Sequence, residues 1–240
     1  MVAIVLLPGM DGTGALFADF VSALGKDFLP IVISYPENQE LGYPALEELV
    51  RAKLPVDQPY FLLGESFSGP VAISIAAARP VGLSGLILSC SFVRNPIPVF
   101  RPLKRTLNFL PIKSKLMEFI FSLLLAGTSS PGIRQAMRKA LSRVSARTLR
   151  ARLRTVLETD YSNKLQEIQV PILYLKAAHD HVVPSSAIKH IVRRVPSVQV
   201  VTFKGPHLLL QALPGEVATI VKNFATQVMS ARNASVSKNA

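Results

Sequence analysis

A serine between two glycines is the residue of this sequence best placed to do chemistry. Ser66 lies in the stretch Gly64–Gly69, whose sequence GESFSG has the pattern G-x-S-x-G. The apolar run Tyr60–Leu63 precedes it, and a helical pattern, Pro70–Arg79, follows directly. In a strand-turn-helix context this pattern forms a tight turn that presents the serine hydroxyl at the end of the strand. We therefore predict that Ser66 is a nucleophile, next to a helix N-terminus that favours developing negative charge.

A base must activate this serine, because a hydroxyl alone is a weak nucleophile, and the usual base is a histidine held by a carboxylate. The chain has four histidines. His190 falls within a helical pattern, and His179 and His181 lie in a loop after a predicted strand. Only His207 follows the last predicted strand and precedes the last predicted helix. A loop there can reach Ser66 across the sheet edge, so we predict that His207 is the general base.

The carboxylate that would orient this histidine is Asp180, which follows the predicted strand Ile172–Lys176. The end of the preceding strand, Ser89–Ser91, offers no carboxylate. A lone aspartate in a loop more often caps a turn or a helix. Here, however, nucleophile, acid and base follow successive strands in the order Ser66, Asp180, His207, which is a recurring order in serine hydrolases.

Hydrolysis through an acyl-serine also needs N–H donors for the oxyanion, each worth about 3 kcal/mol. The backbone N–H of Phe67, directly after the nucleophile, is one predicted donor. The second is the backbone N–H of Met10, in the loop Leu7–Gly14 that follows the first predicted strand. The glycines of this loop match neither G-x-G-x-x-G nor the P-loop pattern, so we expect no nucleotide. The chemistry requires no metal and no organic cofactor.

The elements that would position these groups alternate between strands and helices. The apolar runs read as buried parallel strands and predict a doubly wound α/β fold, a mostly parallel sheet flanked by helices. The predicted strands are Val2–Leu7, Pro30–Ser34, Tyr60–Leu63, Leu83–Leu88, Ile172–Lys176 and Val198–Phe203. The predicted helices are Ala15–Leu24, Pro44–Lys53, Phe67–Arg79, Ser185–Arg194 and Gly215–Val228.

One insertion interrupts the alternation after Leu88 and reads as helices separated by proline and glycine. We predict a core of residues 1–92 and 160–229, an inserted basic helical cap of residues 93–159, and a disordered tail of residues 230–240. The cap helices are predicted at Lys113–Ala126, Gly132–Leu141 and Ser145–Glu158. The last of them has Leu149, Leu153, Val156 and Leu157 on one face and arginines on the others. In the first, we expect the apolar side chains to pack the cap or to line an acyl pocket; the candidates for the pocket are Leu116, Phe119, Ile120 and Leu124.

The positive charge of the chain is concentrated in this insertion. The formal net charge is +12, and 14 of the 27 lysines and arginines fall within residues 91–160, beside three acidic residues. A neutral body with one basic segment is not typical of a dedicated nucleic-acid-binding domain, so we expect no nucleic acid. The arginines are either a solvated surface or a contact for anionic lipid or for phosphate groups of a substrate. Those considered are Arg134, Arg138, Arg147, Arg150 and Arg154.

Composition excludes other classes of protein. The chain is 49% hydrophobic, too apolar for a disordered protein. Its single cysteine, Cys90, cannot form an internal disulfide and excludes a cysteine-ligated zinc or iron site. The longest apolar stretch, Phe119–Ala126, is too short to span a bilayer, and the N-terminus has no signal-peptide pattern. We therefore expect a cytoplasmic protein.

These motifs resemble the α/β-hydrolase superfamily, in particular serine esterases and acyltransferases that open with Leu-Pro-Gly-x-Asp-Gly-Thr-Gly. The resemblance covers residues 2–228, with Pro8–Gly9 where many relatives carry His-Gly. It implies an α/β-hydrolase fold with a cap over the site. It also implies the same roles as above for Ser66, Asp180 and His207, and for the N–H groups of Met10 and Phe67.

The predicted function is hydrolysis of small-molecule carboxylic esters with short to medium acyl chains through an acyl-serine intermediate. An acyl-thioester hydrolase or an acyltransferase would use the same three residues and stays open as the alternative. A non-catalytic binding module and a basic surface binder are the other classes considered. Epoxide hydrolase and dehalogenase chemistry is disfavoured because those enzymes use a carboxylate nucleophile, whereas this turn holds Ser66.

Overall fold

Six parallel strands form one sheet through the centre of the molecule. The computed structural model describes residues 1–105 and 130–238. The strand order is β2-β1-β3-β4-β5-β6, and every neighbouring pair is parallel. The strands are β1 Val2–Leu7, β2 Phe28–Val32, β3 Tyr60–Glu65, β4 Leu83–Ser89, β5 Ile172–His179 and β6 Gln199–Pro206. This confirms the predicted doubly wound α/β architecture.

The strand order reverses between β1 and β3. From β1 the chain moves outward to β2, then returns across β1 to continue through β3, β4, β5 and β6. Leu7 pairs with Gly64, and Glu65 pairs with Ser89, so β1, β3 and β4 end at nearly the same level. The loops after β1 and β3 therefore diverge to opposite sides of a crevice at the carboxyl edge, which is where open parallel sheets bind ligands.

Helices cover both faces of the sheet, which is why its central strands are continuous apolar runs. They are α1 Ala18–Leu24, α2 Tyr43–Arg51, α3 Gly69–Ala77, α4 Pro131–Arg143, α5 Ala146–Glu158, α6 Ser185–Arg194, α7 Leu209–Ala212 and α8 Pro214–Lys238. Side chains of α2, α3 and α6 pack on one face, and those of α1 and α8 pack on the other. All six residues of β3 are buried as a result.

The inserted segment, residues 93–159, leaves the sheet after β4 and includes α4 and α5 among the described residues. Ser145 caps α5, because its side-chain oxygen accepts a hydrogen bond of 3.1 Å from the Thr148 N–H. Apolar side chains of the segment, including Met137 and Leu149, form a small cluster with Leu16 and Leu208 of the body. Leu208 directly follows His207, so the segment is packed against the neighbourhood of the predicted site.

Three predicted elements differ from the described structure or lie outside it. The predicted disordered tail, residues 230–240, stays a prediction; within the described residues, α8 continues to Lys238. The second strand begins at Phe28 and includes Pro30, which an edge strand tolerates because one side of it forms no ladder. The predicted helix Lys113–Ala126 lies entirely within residues 106–129, outside the described part of the chain.

Among the described residues, no helix combines the length and the apolar character needed to cross a bilayer.

Candidate active site

Ser66 lies on a strained turn between β3 and α3. It opens a short 3-10 turn, Ser66–Ser68, and its φ of 46° is in the left-handed region that non-glycine residues rarely adopt. The turn has no room for a side chain at Gly64, where a Cβ would lie 2.8 Å from the Cβ of Ala72. Strain of this kind costs about 1–3 kcal/mol and persists where surrounding structure enforces it. Here it places the Ser66 hydroxyl at the carboxyl edge of the sheet.

His207 and Asp180 lie next to this hydroxyl. His207 follows the end of β6, and its Nε2 is 2.8 Å from the Ser66 Oγ. Its Nδ1 is 2.9 Å from both carboxylate oxygens of Asp180, which follows the end of β5. The neutral imidazole that suits both contacts donates from Nδ1 to the carboxylate and accepts from the serine hydroxyl at Nε2. The three residues predicted from the sequence thus form one continuous chain of hydrogen bonds.

The environment of Asp180 favours its ionised form. Burial opposes ionisation, but the hydrogen bonds that the carboxylate accepts, first of all the one from His207, together outweigh it. Two backbone donors add to this effect, because the Asp180 Oδ1 accepts from the N–H groups of Val182 at 2.9 Å and Val183 at 2.8 Å. The pKa of Asp180 is therefore held below its ordinary value. An ionised carboxylate in this position fixes the orientation of the His207 ring.

The glycine-rich loop, residues 8–14, lies beside Ser66 at the crevice. Gly12 and Gly14 have φ of 69° and 72°, and the Gly12 N–H donates to the Gly9 carbonyl at 3.0 Å. The Asp11 carboxylate accepts from the Thr13 N–H at 2.9 Å and from its hydroxyl at 2.6 Å. This loop is therefore a tight, internally bonded turn.

Contacts from outside also hold the start of the glycine-rich loop. The Ser68 hydroxyl donates to the Pro8 carbonyl, and the Tyr35 hydroxyl is 2.7 Å from the Ser68 Oγ. Because Ser68 has one hydroxyl proton, Tyr35 is the donor in the second contact. Phe67, which offers the other predicted N–H, is in the first turn after Ser66, where backbone N–H groups have no acceptor within the helix.

Glu65 is a buried carboxyl group that the sequence analysis passed over. It is 3% exposed, and its Oε1 accepts a hydrogen bond of 3.0 Å from the Gln211 side chain. The Gly9 N–H also donates to the Glu65 carboxyl. Burial raises the pKa of Glu65 to about 7, and the nearby Asp11 adds to the shift while the two donors oppose it. Glu65 thereby connects the nucleophile strand, the glycine-rich loop and the helix that follows His207.

We expect the Glu65→Gln variant to lose part of the pH dependence of folding stability. Between pH 4.5 and about 7 the folded protein keeps a proton on Glu65 that the unfolded chain releases, so wild-type stability falls as the pH rises through this range. The glutamine amide has the same size and does not titrate, so the stability of the variant does not depend on deprotonation at this position. Urea unfolding at pH 5 and pH 8 measures how far the free energy of unfolding falls between the two pH values. This decrease should be smaller in the variant than in the wild type by on the order of 2 kcal/mol. Equal losses in both proteins would contradict the role assigned to Glu65.

A second serine–histidine pair lies elsewhere in the structure. The Ser162 Oγ is 2.9 Å from the His190 Nε2. The other side chain within hydrogen-bond distance of His190 is the cation Arg194, whose Nη1 is 2.8 Å from Nε2 and 3.3 Å from Nδ1, and not a carboxylate. Burial and the neighbouring arginines lower the pKa of His190. Ser162 is also not at a strand-to-helix turn, so this pair lacks the features that surround Ser66.

Cys90, Asp180 and His207 bring three potential metal-ligand atoms within 4.8 Å of one another. Asp180 and His207, however, are already bonded to each other. Burial also raises the pKa of the Cys90 thiol well above its ordinary value, so that the neutral thiol is favoured over the thiolate that binds metals. The chemistry of this group therefore fits a hydrogen-bonded site better than a metal centre.

One arginine of the inserted segment is placed differently from the prediction. Arg152 is only 2% exposed and contacts the glycine-rich loop, whereas the arginines of α5 were predicted to lie away from its apolar face. Helical spacing carried the signal, since Arg152 is three residues after Leu149 and four before Val156. The residues predicted to line the acyl pocket lie outside the described part of the chain; they are Leu116, Phe119, Ile120 and Leu124.

The chain is similar in sequence to one protein family and to characterised enzymes. Residues 45–209 match the family described as serine aminopeptidase, S33. The chain is 26% identical over 250 aligned positions to the pimeloyl-[acyl-carrier protein] methyl ester esterase of Aeromonas hydrophila subsp. hydrophila, covering 92% of this chain and 94% of that relative. It is 25% identical over 173 residues to the pyrrolizixenacetamide deacetylase of Xenorhabdus hominickii, covering 69% of this chain and 65%, under two thirds, of the deacetylase.

The fold is shared with solved structures at low sequence identity. The enol-lactonase from Burkholderia xenovorans LB400 superimposes with a TM-score of 0.81 at 15% identity, over 94% of this chain and 91% of the lactonase. This similarity shows the common fold. The family match spans more than half of the chain and includes Ser66, Asp180 and His207. The chain therefore belongs to the serine aminopeptidase S33 family of the α/β-hydrolase superfamily.

Proposed function

We propose that this protein is a serine hydrolase that cleaves small-molecule carboxylic esters through an acyl-serine intermediate. The observation that carries the proposal is the hydrogen-bonded chain from the strained Ser66 through His207 to the partly buried Asp180. A hydroxyl, a base within hydrogen-bond reach of it and a carboxylate that orients the base are the parts required for nucleophilic catalysis.

Acylation begins when the His207 Nε2 removes the hydroxyl proton of Ser66 and the Oγ attacks the ester carbonyl carbon. Negative charge then develops on the carbonyl oxygen, where the N–H groups of Met10 and Phe67 would stabilise it. The Asp180 carboxylate stabilises the imidazolium formed on His207. Collapse of the tetrahedral intermediate breaks the carbon–oxygen bond of the ester, and His207 returns its proton to the leaving alcohol.

Deacylation repeats the sequence with water in place of the serine. His207 takes a proton from water, the oxygen attacks the acyl carbonyl, and the second tetrahedral intermediate expels the Ser66 Oγ. The proton on His207 returns to that oxygen, so each cycle consumes one ester and one water and releases one acid and one alcohol. The active site begins and ends the cycle in the same protonation state.

Two relatives support an acyl-group substrate. One is named for cleaving a methyl ester and the other for removing an acetyl group. We propose esters with short to medium acyl chains, and we propose that the inserted segment forms a cap over the crevice. An acyl-thioester substrate is the second candidate, and it is favoured by exposed cationic side chains on the inserted segment, which suit a phosphate-bearing acyl donor. They include Arg138, Lys139 and Arg147.

Hydrolysis of a chain-length series of p-nitrophenyl esters beside acyl-coenzyme A substrates tests the proposal. We expect a burst of p-nitrophenol followed by steady turnover on the esters, because an acyl-enzyme accumulates when deacylation is slower than acylation. Ser66→Ala should abolish this turnover. Ser162→Ala is the matched control, because it removes the other serine that contacts a histidine, and it should leave turnover unchanged.

Turnover confined to the thioesters would replace the ester assignment by the second candidate. Turnover that survives Ser66→Ala on both substrates would contradict the serine hydrolase assignment.

A further inference from the structure

Arg152 is a buried cation close to the proposed active site. Arg152 lies in α5 of the inserted segment, far along the chain from the glycine-rich loop, and is only 2% exposed. Burying an arginine is costly unless its N–H groups are paired. The groups that pair with the Arg152 guanidinium therefore indicate the role of this buried cation.

The guanidinium donates to backbone carbonyls of two loops, the one after β1 and the one after β2. Its Nη1 donates to the carbonyl of Met10 at 2.9 Å and to that of Asp11 at 2.7 Å. Its Nη2 donates to the carbonyl of Pro36, beyond the end of β2, at 3.0 Å. The carbon at the centre of the group is also 5.9 Å from the centroid of the Tyr35 ring. The rigid fork of an arginine suits such simultaneous contacts, and a lysine ammonium cannot reproduce all of them.

The glycine-rich loop is folded around this guanidinium. Gly12 has a φ of 69°, and a Cβ at this position would lie 2.5 Å from the Arg152 Nη1. Glycine is therefore required there by both the backbone conformation and the close approach of the cation. The Asp11 carboxylate adds a favourable charge interaction with Arg152.

These bonds fix the peptide groups around the Met10 N–H. The Met10 N–H shares its peptide group with the Gly9 carbonyl, which accepts a hydrogen bond of 3.0 Å from the Gly12 N–H. The preceding peptide group contains the Pro8 carbonyl, which accepts a hydrogen bond from the Ser68 hydroxyl. The next two peptide groups are held at the Met10 and Asp11 carbonyls by Arg152. Without Arg152, the two peptide groups that follow Met10 would lose their side-chain anchor. An oxyanion donor is effective only when it is aimed in advance at the developing charge.

We infer that Arg152 is a positioning residue that orients the Met10 N–H for the oxyanion and thereby makes the inserted segment part of the catalytic apparatus. This inference rests on the proposed function. It assigns to an inserted helix a role in the rate of the reaction, in addition to any role in covering the substrate.

Steady-state ester hydrolysis by Arg152→Met and Arg152→Lys tests the inference. We expect Arg152→Met to lower kcat by about 10²–10³-fold, the usual effect of losing one oxyanion donor, with KM changed little. The lysine variant should recover part of this loss. Added guanidinium ion should raise kcat of a third variant, Arg152→Ala, which leaves space for it. Arg193→Met, which removes an exposed arginine of α6 outside the inserted segment, should retain the wild-type kcat.

A trifluoromethyl ketone inhibitor separates this role from general stability. Such a ketone adds to the serine and places an oxyanion at the donors, so its inhibition constant should rise in Arg152→Met by the same factor by which kcat/KM falls. Wild-type kcat in Arg152→Met, or an unchanged inhibition constant in its folded fraction, would overturn the inference alone. Absence of Ser66-dependent turnover in the wild type would overturn the proposed function and this inference together.

Discussion

Replacing His207 by alanine should lower kcat for ester hydrolysis by about 10⁶-fold, because the nucleophile and its base act as one unit. In this structure His207 is the side chain within hydrogen-bond reach of the Ser66 hydroxyl, at 2.8 Å. Asp180→Asn should cost about 10⁴-fold, since an amide can hold the ring in the wrong tautomer. Stopped assays on p-nitrophenyl acetate, with unfolding curves to confirm an intact fold, measure both losses.

His190→Ala is the matched control for His207→Ala. Each histidine contacts a serine hydroxyl, at 2.9 Å for His190 and 2.8 Å for His207, but only His207 is also held by a carboxylate. The control variant should therefore keep the wild-type kcat. A large loss of kcat in His190→Ala, with full activity in His207→Ala, would assign the chemistry to Ser162 and His190 and contradict the mechanism.

The second large effect concerns the turn that holds Ser66. We expect Gly69→Ala to lower the free energy of unfolding by about 3 kcal/mol, the upper range for forcing extra volume into a packed site. A Cβ at Gly69 would lie 1.7 Å from the Ser91 Oγ and 2.7 Å from its Cβ. It would also displace the 2.6 Å hydrogen bond from the Ser91 hydroxyl to the Ser66 carbonyl, which anchors the nucleophile. Urea unfolding measures the loss of stability, and kcat should fall with it.

Gly215→Ala controls for the loss of a glycine as such. Gly215 is exposed in the first turn of α8, and a Cβ there would meet nothing within 4 Å. Alanine should raise stability at this position by roughly 0.5–1 kcal/mol, because it reduces the entropy of the unfolded chain and favours a helix. Equal effects of the two substitutions would show that the crowding at Gly69 is relieved by movement of its neighbours.

The inserted segment connects the charge of the chain to its proposed chemistry. Most of the arginines in its described part are exposed, but Arg152 turns inward and contacts the glycine-rich loop. Arg143 also reaches the body, where its Nη2 is 2.6 Å from the Glu37 carboxylate. An exposed pair of this kind contributes little stability, so the buried contacts of Arg152 carry more of the coupling between the segment and the sheet.

Local sequence determined the order of elements and the chemical groups at the sheet edge. Apolar runs of strand length and the turn around Ser66 are local properties, and parallel strands bring their carboxyl ends to one edge. For that reason the sequence was enough to predict that Ser66, Asp180 and His207 would come together.

The supporting groups depended on tertiary structure. Glu65 is a buried acid because Gln211 of α7 and Gly9 of the glycine-rich loop donate hydrogen bonds to it. Arg152 is a buried cation because three carbonyls from two loops surround it. Local sequence favours exposure for both residue types, since a charged side chain is buried only when distant parts of the chain supply its partners. The sequence by itself therefore determined where Ser66, His207 and Asp180, the proposed nucleophile, base and acid, would lie, whereas only the folded chain decided which charged side chains hold the loops around them.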